Sequence, residues 1–168
     1  MELTMEQYGK YIKNAAPHLS AGAFLTTKSS GRVNTMTIGW GTFGFQWGMP
    51  TFEAMVRKSR FSKAAMDSEE TFTVTIPYGT DMREALSYCG KISGRDEDKI
   101  EKCGLVLSEG RECPTPAVSC HGLVIECKTV MRLDMNSDNT APEVLERWYK
   151  SGDLHTMYYG KVLAAYEI

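Results

Sequence analysis

The chain has 168 residues, with 19 Lys and Arg against 21 Asp and Glu, so its formal net charge is −2 at pH 7. Apolar residues make up 42% and charged residues 24%, the balance of one ordinary globular domain, 1–168, rather than of a disordered or collagen-like chain. The near-neutral charge lacks the basic footprint of nucleic-acid binding, and no window approaches the roughly 18 apolar residues of a membrane span.

The opening MELTMEQYGKYIKN has neither signal-peptide nor transit-peptide character, so a cytoplasmic protein is expected. Glu2 to Asn14 reads as a helix, with Leu3, Tyr8 and Ile12 roughly on one face. Gly22 to Lys28 and Val33 to Trp40 read as strands around the turn cluster Ser29-Ser30-Gly31-Arg32, a hairpin. Phe52 to Arg57 is a strand, Arg60 to Ser68 a helix, and Thr71 to Ile76 an alternating strand stopped by Pro77. Asp81 with Glu84 opens a helix through Tyr88 that Gly90 ends, and Asp96 to Cys103 is a shorter one closed by Gly104. Gly122 to Leu133 alternates, placing Leu123, Ile125, Cys127, Thr129, Met131 and Leu133 on one face and Glu126, Lys128 and Arg132 on the other. Pro142 to Lys150 is a helix, and Thr156 to Ile168 a last long strand. Strands linked by hairpins, without regular βαβ alternation, predict a mainly β fold with helical inserts: a closed antiparallel barrel.

Gly39-Trp40-Gly41-Thr42-Phe43-Gly44 fits the spacing of a dinucleotide fingerprint. That chemistry needs a helix opening at the last glycine, where the phosphate meets free N–H groups. Phe45-Gln46-Trp47-Gly48-Met49-Pro50 cannot supply one, so the stretch reads as a strand end and loop with close backbone approach. Neither a nucleophile elbow nor a P-loop occurs. Cys113, Cys120 and His121 lack the C-x-x-C spacing and fourth ligand of a zinc site. The five cysteines, odd in number and irregular in spacing, are expected to be free and mostly buried.

The richest polar stretch is Arg57-Lys58-Ser59-Arg60-Phe61-Ser62-Lys63, where four cations and two hydroxyls join a strand to a helix. Guanidinium forks and a helix start suit a phosphate monoester, although a solvated basic helix start has the same composition. Asn34, Thr35 and Thr37 on the hairpin add uncharged groups that could read the edge of a polar ring, or serve simply as strand residues.

In order, five segments resemble the flavin reductase-like family of FMN-binding split barrels, its flavoredoxin branch most. They are Asn34–Trp40; Pro50 through Ser62; Phe72-Thr73-Val74-Thr75-Ile76-Pro77; Cys89-Gly90 with Ser93-Gly94-Arg95-Asp96 and Lys99; and His155 through Val162. The resemblance implies an antiparallel split β-barrel, a homodimer, and one FMN per subunit near the dimer interface. Carried over, Asn34, Thr35, Met36, Thr37 and Trp40 line the flavin. Arg57, Lys58, Ser59, Arg60, Phe61 and Ser62 hold the phosphate and ribityl chain, with Cys89 on the cleft wall. Arg95 and Lys99 close the site, and His155 is the candidate at the flavin edge. Three positions depart from the family pattern: Thr75 for a common Asn, Ile100 for an aromatic, and one extra residue in Ser151–His155. The insertion bears on reduction by nicotinamide more than on FMN binding.

The implied activity is electron transfer through FMN, fed by a reduced nicotinamide or by a redox protein. The cofactor carries that chemistry, so no catalytic triad is required. The alternatives are a non-catalytic flavin binder and a flavin-free barrel using Trp40, Phe43, Phe45 and Trp47 as a partner patch. Cys89, at a helix end whose dipole raises a thiol pKa, reads as a packing residue or cleft contact rather than a redox thiol.

Overall fold

Two tight hairpins set the frame of the computed structural model, which describes residues 3–168. Strands β1 (Ala23–Ser29) and β2 (Arg32–Ile38) pair across Ser30 and Gly31, both at positive φ, 50° and 79°. Strands β3 (Gly41–Gln46) and β4 (Met49–Arg57) pair across Trp47 and Gly48, at 52° and 76°. Such two-residue turns match the right-handed twist of the strands they join. Gly41 and Gly44 of the fingerprint-like stretch therefore lie in a hairpin strand, and Gly39 in the link before it, not ahead of a helix. The predicted close approach is real at Gly41, where a Cβ would meet the Glu53 carbonyl oxygen at 2.8 Å.

β5 (Thr71–Pro77), β8 (Gly122–Asp134) and β9 (His155–Glu167) complete a seven-stranded antiparallel sheet of order β2-β1-β5-β8-β9-β4-β3. β2 lies against β4, but no ladder joins them among the described residues, so the barrel is split rather than closed. β6 (Leu107–Ser108) and β7 (Ala117–Val118) form a separate pair too short for any periodicity to announce. Leu25, Phe52, Val56, Phe72, Ile125 and Tyr158 lie in the core.

The helices are α1 (Met5–Ala15), α2 (Ser62–Ser68), α3 (Arg83–Lys91), α4 (Lys99–Lys102) and α5 (Pro142–Trp148), with a 3-10 helix at Ala16–Ala21. Glu2, the expected start of α1, lies outside the described residues; Thr4 caps the helix in a capping box with Gln7. Gly90 does not end α3 but lies inside it, with Ile92 as C-cap. α4 is shorter than expected because Asp98, not Asp96, caps it by accepting from Ile100 and Glu101 N–H.

β8 departs most from its expected alternation. Residues 122–127 are buried on both faces, and two irregularities against β9 break the register between Glu126 and Cys127 and between Thr129 and Met131. Glu126, expected on the polar face, is fully buried.

Candidate functional site

Two small clefts meet beside β2. The first, about 210 Å³, lies between β2, the β4–α2 junction and the α3–α4 segment, and is lined by Asn34, Ser59, Ser62, Ser93, Arg95 and Lys99 among others. The second, about 200 Å³, is lined by Met36 to Trp40, Met55, Arg57 and His155. Met36 and Arg60 line both, so a polar end runs into a methionine- and aromatic-walled end.

Local structure fixes each group. Asn34 Nδ2 donates to Ser62 Oγ at 2.8 Å, tying β2 to the first turn of α2. Gly94 is held against this pair: a Cβ there would collide with Asn34 and lie 2.6 Å from the Phe61 ring. Arg32 and Arg95 lie 4.9 and 5.6 Å from the Phe61 ring centroid, a cation–π arrangement.

The basic stretch divides its cations. Arg57 donates to the carbonyls of Asp153 (2.7 Å) and Trp148 (3.3 Å). Arg60 donates to those of Gly90 (2.5 Å) and Cys89 (3.0 Å). The Ser59 N–H and hydroxyl both donate to the Asp153 carboxylate. Lys58 and Lys63 turn to Asp134 and Asp67, away from both clefts. Lys99 is buried and donates to the Cys89 carbonyl at 3.4 Å. Burial lowers the pKa of both Arg60 and Lys99.

His155 is buried, with Nδ1 2.7 Å from the Tyr149 hydroxyl and its ring 5.3 Å from that of Trp40. Burial first, and the Arg57 charge second, hold its pKa down to about 4, so the imidazole is neutral near pH 7. Trp148 from α5 meets Trp40 edge-on at 5.2 Å and closes the aromatic wall.

Of the residues expected here, Asn34, Met36, Thr37, Trp40, Arg57, Ser59, Arg60, Phe61, Ser62, Arg95, Lys99 and His155 come together around the two clefts. Thr35 faces the interior, 3.1 Å from Thr26 Oγ1, and lines neither cleft. Cys89 likewise lies off the cleft wall, packed among Phe24, Leu86 and Val118. The four aromatics do not form one patch: Phe43 packs on Tyr8 and Phe52, while Phe45 and Trp47 sit exposed on the β3–β4 hairpin. Met55 and Ser93 also line the clefts, beyond the residues the sequence points to. Met55 shares a strand face with Arg57 by simple alternation, and Ser93 lies in the quoted Ser-Gly-Arg-Asp segment.

A split barrel whose cation- and hydroxyl-lined cleft opens into a flat aromatic one defines a class of small flavin-binding barrels. Residues 19–168 match the flavin reductase like domain, and the chain belongs to that family. It is similar in structure to the flavoredoxin of Methanosarcina acetivorans, at 24% identity over 88% of this chain and 68% of that one, with a TM-score of 0.67. For the flavoredoxin of Desulfovibrio vulgaris (Miyazaki F) the figures are 20%, 88%, 69% and 0.69. For the NADH:FAD oxidoreductase of Streptomyces globisporus C-1027 they are 16%, 100%, 87% and 0.66. At these identities the likeness is one of fold. No curated protein matches the chain.

Proposed function

We propose that the paired clefts seat one FMN and that the chain transfers electrons through it. The observation that carries this reading is the continuity of the two clefts through Met36 and Arg60. Hydroxyls and cations stand at one end, Met55, Trp40 and a neutral His155 at the other, so the residues present fit a phosphate joined to a flat ring. When bound, FMN accepts and returns a hydride or single electrons.

The chain supplies position and field. Ser62, Arg95 and Lys99 hold the phosphate end, with Ser59 tied to Asp153, while Arg60, anchored on two α3 carbonyls, is preset to direct its remaining N–H groups without reorganising. Met36, Met55 and Trp40 flank the ring and exclude water. Neutral His155, held by Tyr149, offers a positioned polar edge and no charge. The donor is a reduced nicotinamide or a redox protein.

The pairing rows Leu133–Met157–Met55 and Met131–Tyr159–Glu53 lie on one outer face of β8, β9 and β4, continuous with the second cleft through Met55. Leu133 and Met131 are 44% and 37% exposed there. This face supports a homodimer built against the flavin ring. Five free thiols suit a reducing, cytoplasmic compartment, and one main sheet suits a single domain. No helix among the described residues is long and apolar enough to cross a membrane.

The test is an anaerobic titration of the protein with FMN, followed by NADH and then NADPH. Perturbed flavin absorbance with one FMN per chain supports the site. Bleaching by a nicotinamide makes the protein a reductase, and bleaching by dithionite alone makes it a carrier fed by a redox protein. Absence of any flavin uptake overturns the reading.

A further inference from the structure

A pair of cysteines lies behind the polar cleft, next to Arg60 and Lys99. Cys89, in the last turn of α3, packs with Phe24, Leu86 and Val118, and Cys103, the C-cap of α4, packs against the same cluster. Both thiols sit in this one cluster, where burial first and the neighbouring Cys103 thiol second raise the Cys89 pKa. Cys89 is fully buried, whereas Cys103 is half-buried and lines a wide open cleft of about 1300 Å³ beside α3.

The backbone of this pair is also the anchor of the cations. The Cys89 carbonyl accepts from Arg60 and Lys99, and the Cys103 N–H donates to the Lys99 carbonyl at 3.1 Å. Both cations are therefore tied to the backbone of this pair.

We propose that Cys89 and Cys103 form a reversible thiol–disulfide couple, oxidised by small-molecule disulfides arriving through the α3 cleft, and that oxidation weakens the hold of Arg60 and Lys99 on the cofactor phosphate. The coupling rests on the FMN reading above; the disulfide itself does not. Cys103, as its thiolate, attacks one sulfur of the small disulfide RSSR, forming a mixed disulfide and releasing RS⁻. Cys89 then loses its proton, and its sulfur displaces the second RS⁻ as the Cys89–Cys103 bond forms. The two thiol protons leave to the two released thiolates, so RSSR is reduced to two RSH while the protein loses two hydrogens. Closing these clustered thiols to a bond of about 2.05 Å draws the α3 terminus toward α4 and moves the shared carbonyl anchor. Burial pushes the Cys89 thiol up to about 11, which suits the resolving rather than the attacking role.

The experiment equilibrates the full chain with oxidised glutathione at graded ratios to the reduced form. Intact mass and non-reducing peptide mapping are read beside FMN affinity. The expected result is a loss of two hydrogens, a crosslinked peptide pair holding Cys89 and Cys103, and FMN binding about tenfold weaker, reversed by dithiothreitol. Cys103→Ser should abolish both changes while binding FMN as the reduced wild type does. Cys120→Ser should leave both intact, although Cys120 lines the same cleft. No crosslink, a crosslink through Cys120, or a Cys89–Cys103 crosslink with unchanged FMN affinity overturns the proposal. A reduced wild type that takes up no FMN overturns the functional reading instead.

Discussion

His155 shows how burial alone can decide a residue's chemistry. Its ordinary pKa of about 6.5 is held down to about 4 in the folded chain, first by desolvation and then by the Arg57 charge. The unfolded chain therefore takes up a proton that the folded chain refuses. Stability from this group is fully present above about pH 6.5 and is lost as pH falls toward 4, by roughly 3 kcal/mol in all. Urea unfolding of the wild type and of His155→Gln at steps between pH 7 and pH 4 should show this slope only in the wild type. Parallel curves would show that the imidazole is not shielded. Electron transfer should show no titration near pH 6.5. The family resemblance of the closing segment makes His155 a candidate at the flavin edge, but its neutrality depends on Tyr149, Trp40 and Arg57 packing round it, which no local pattern encodes.

At the scale of elements, legibility follows periodicity. The β1–β2 hairpin was readable because strand types flank a serine–glycine turn. The β3–β4 hairpin was missed as a pair because Trp47 is an unusual occupant of positive φ. β8 was readable as a strand but not in its faces, since irregular register cannot be seen without its partner. Glu126 is the clearest consequence. Its two carboxylate oxygens accept from the N–H groups of Arg111, Glu112 and Cys113 and from the Tyr166 hydroxyl, pinning the segment before β7 to the sheet. Glu126→Ala should cost about 3 kcal/mol in chemical unfolding, because one buried and two part-buried N–H groups and a buried hydroxyl lose a charged acceptor. Glu126→Gln should restore only part of it, since its amide nitrogen presents donors where a second acceptor is needed. Hydrogen exchange should rise at residues 111–113 in both. A Glu126→Ala variant as stable as wild type would mean that this segment is held by Thr73 and Thr75, which donate to the Pro116 and Val118 carbonyls.

For the whole molecule, the split barrel brings Met36 of β2 and His155 of β9 to one cleft, and leaves the face of β4, β9 and β8 beside it uncovered. Methionine, leucine and tyrosine on that face, with Trp47 6.2 Å from Tyr159, form a largely apolar continuation of the ring-end wall, broken by the Glu53 carboxylate. A second copy seated there would remove Leu133 and Met131 from water and shield the flavin ring. Light scattering on size-exclusion fractions should give twice the 18.8 kDa of one chain. Leu133→Lys, placed where the side chain is exposed in the isolated subunit, should leave the subunit folded, because it disturbs no core packing. It should shift the mass to that of one chain, since a buried unpaired ammonium costs more than the contact it replaces. If the partner covers the ring, the same variant should bind FMN more weakly in the titration above and lose it on dilution. A wild type that elutes at one chain's mass with FMN tightly bound would show that each barrel encloses its flavin alone.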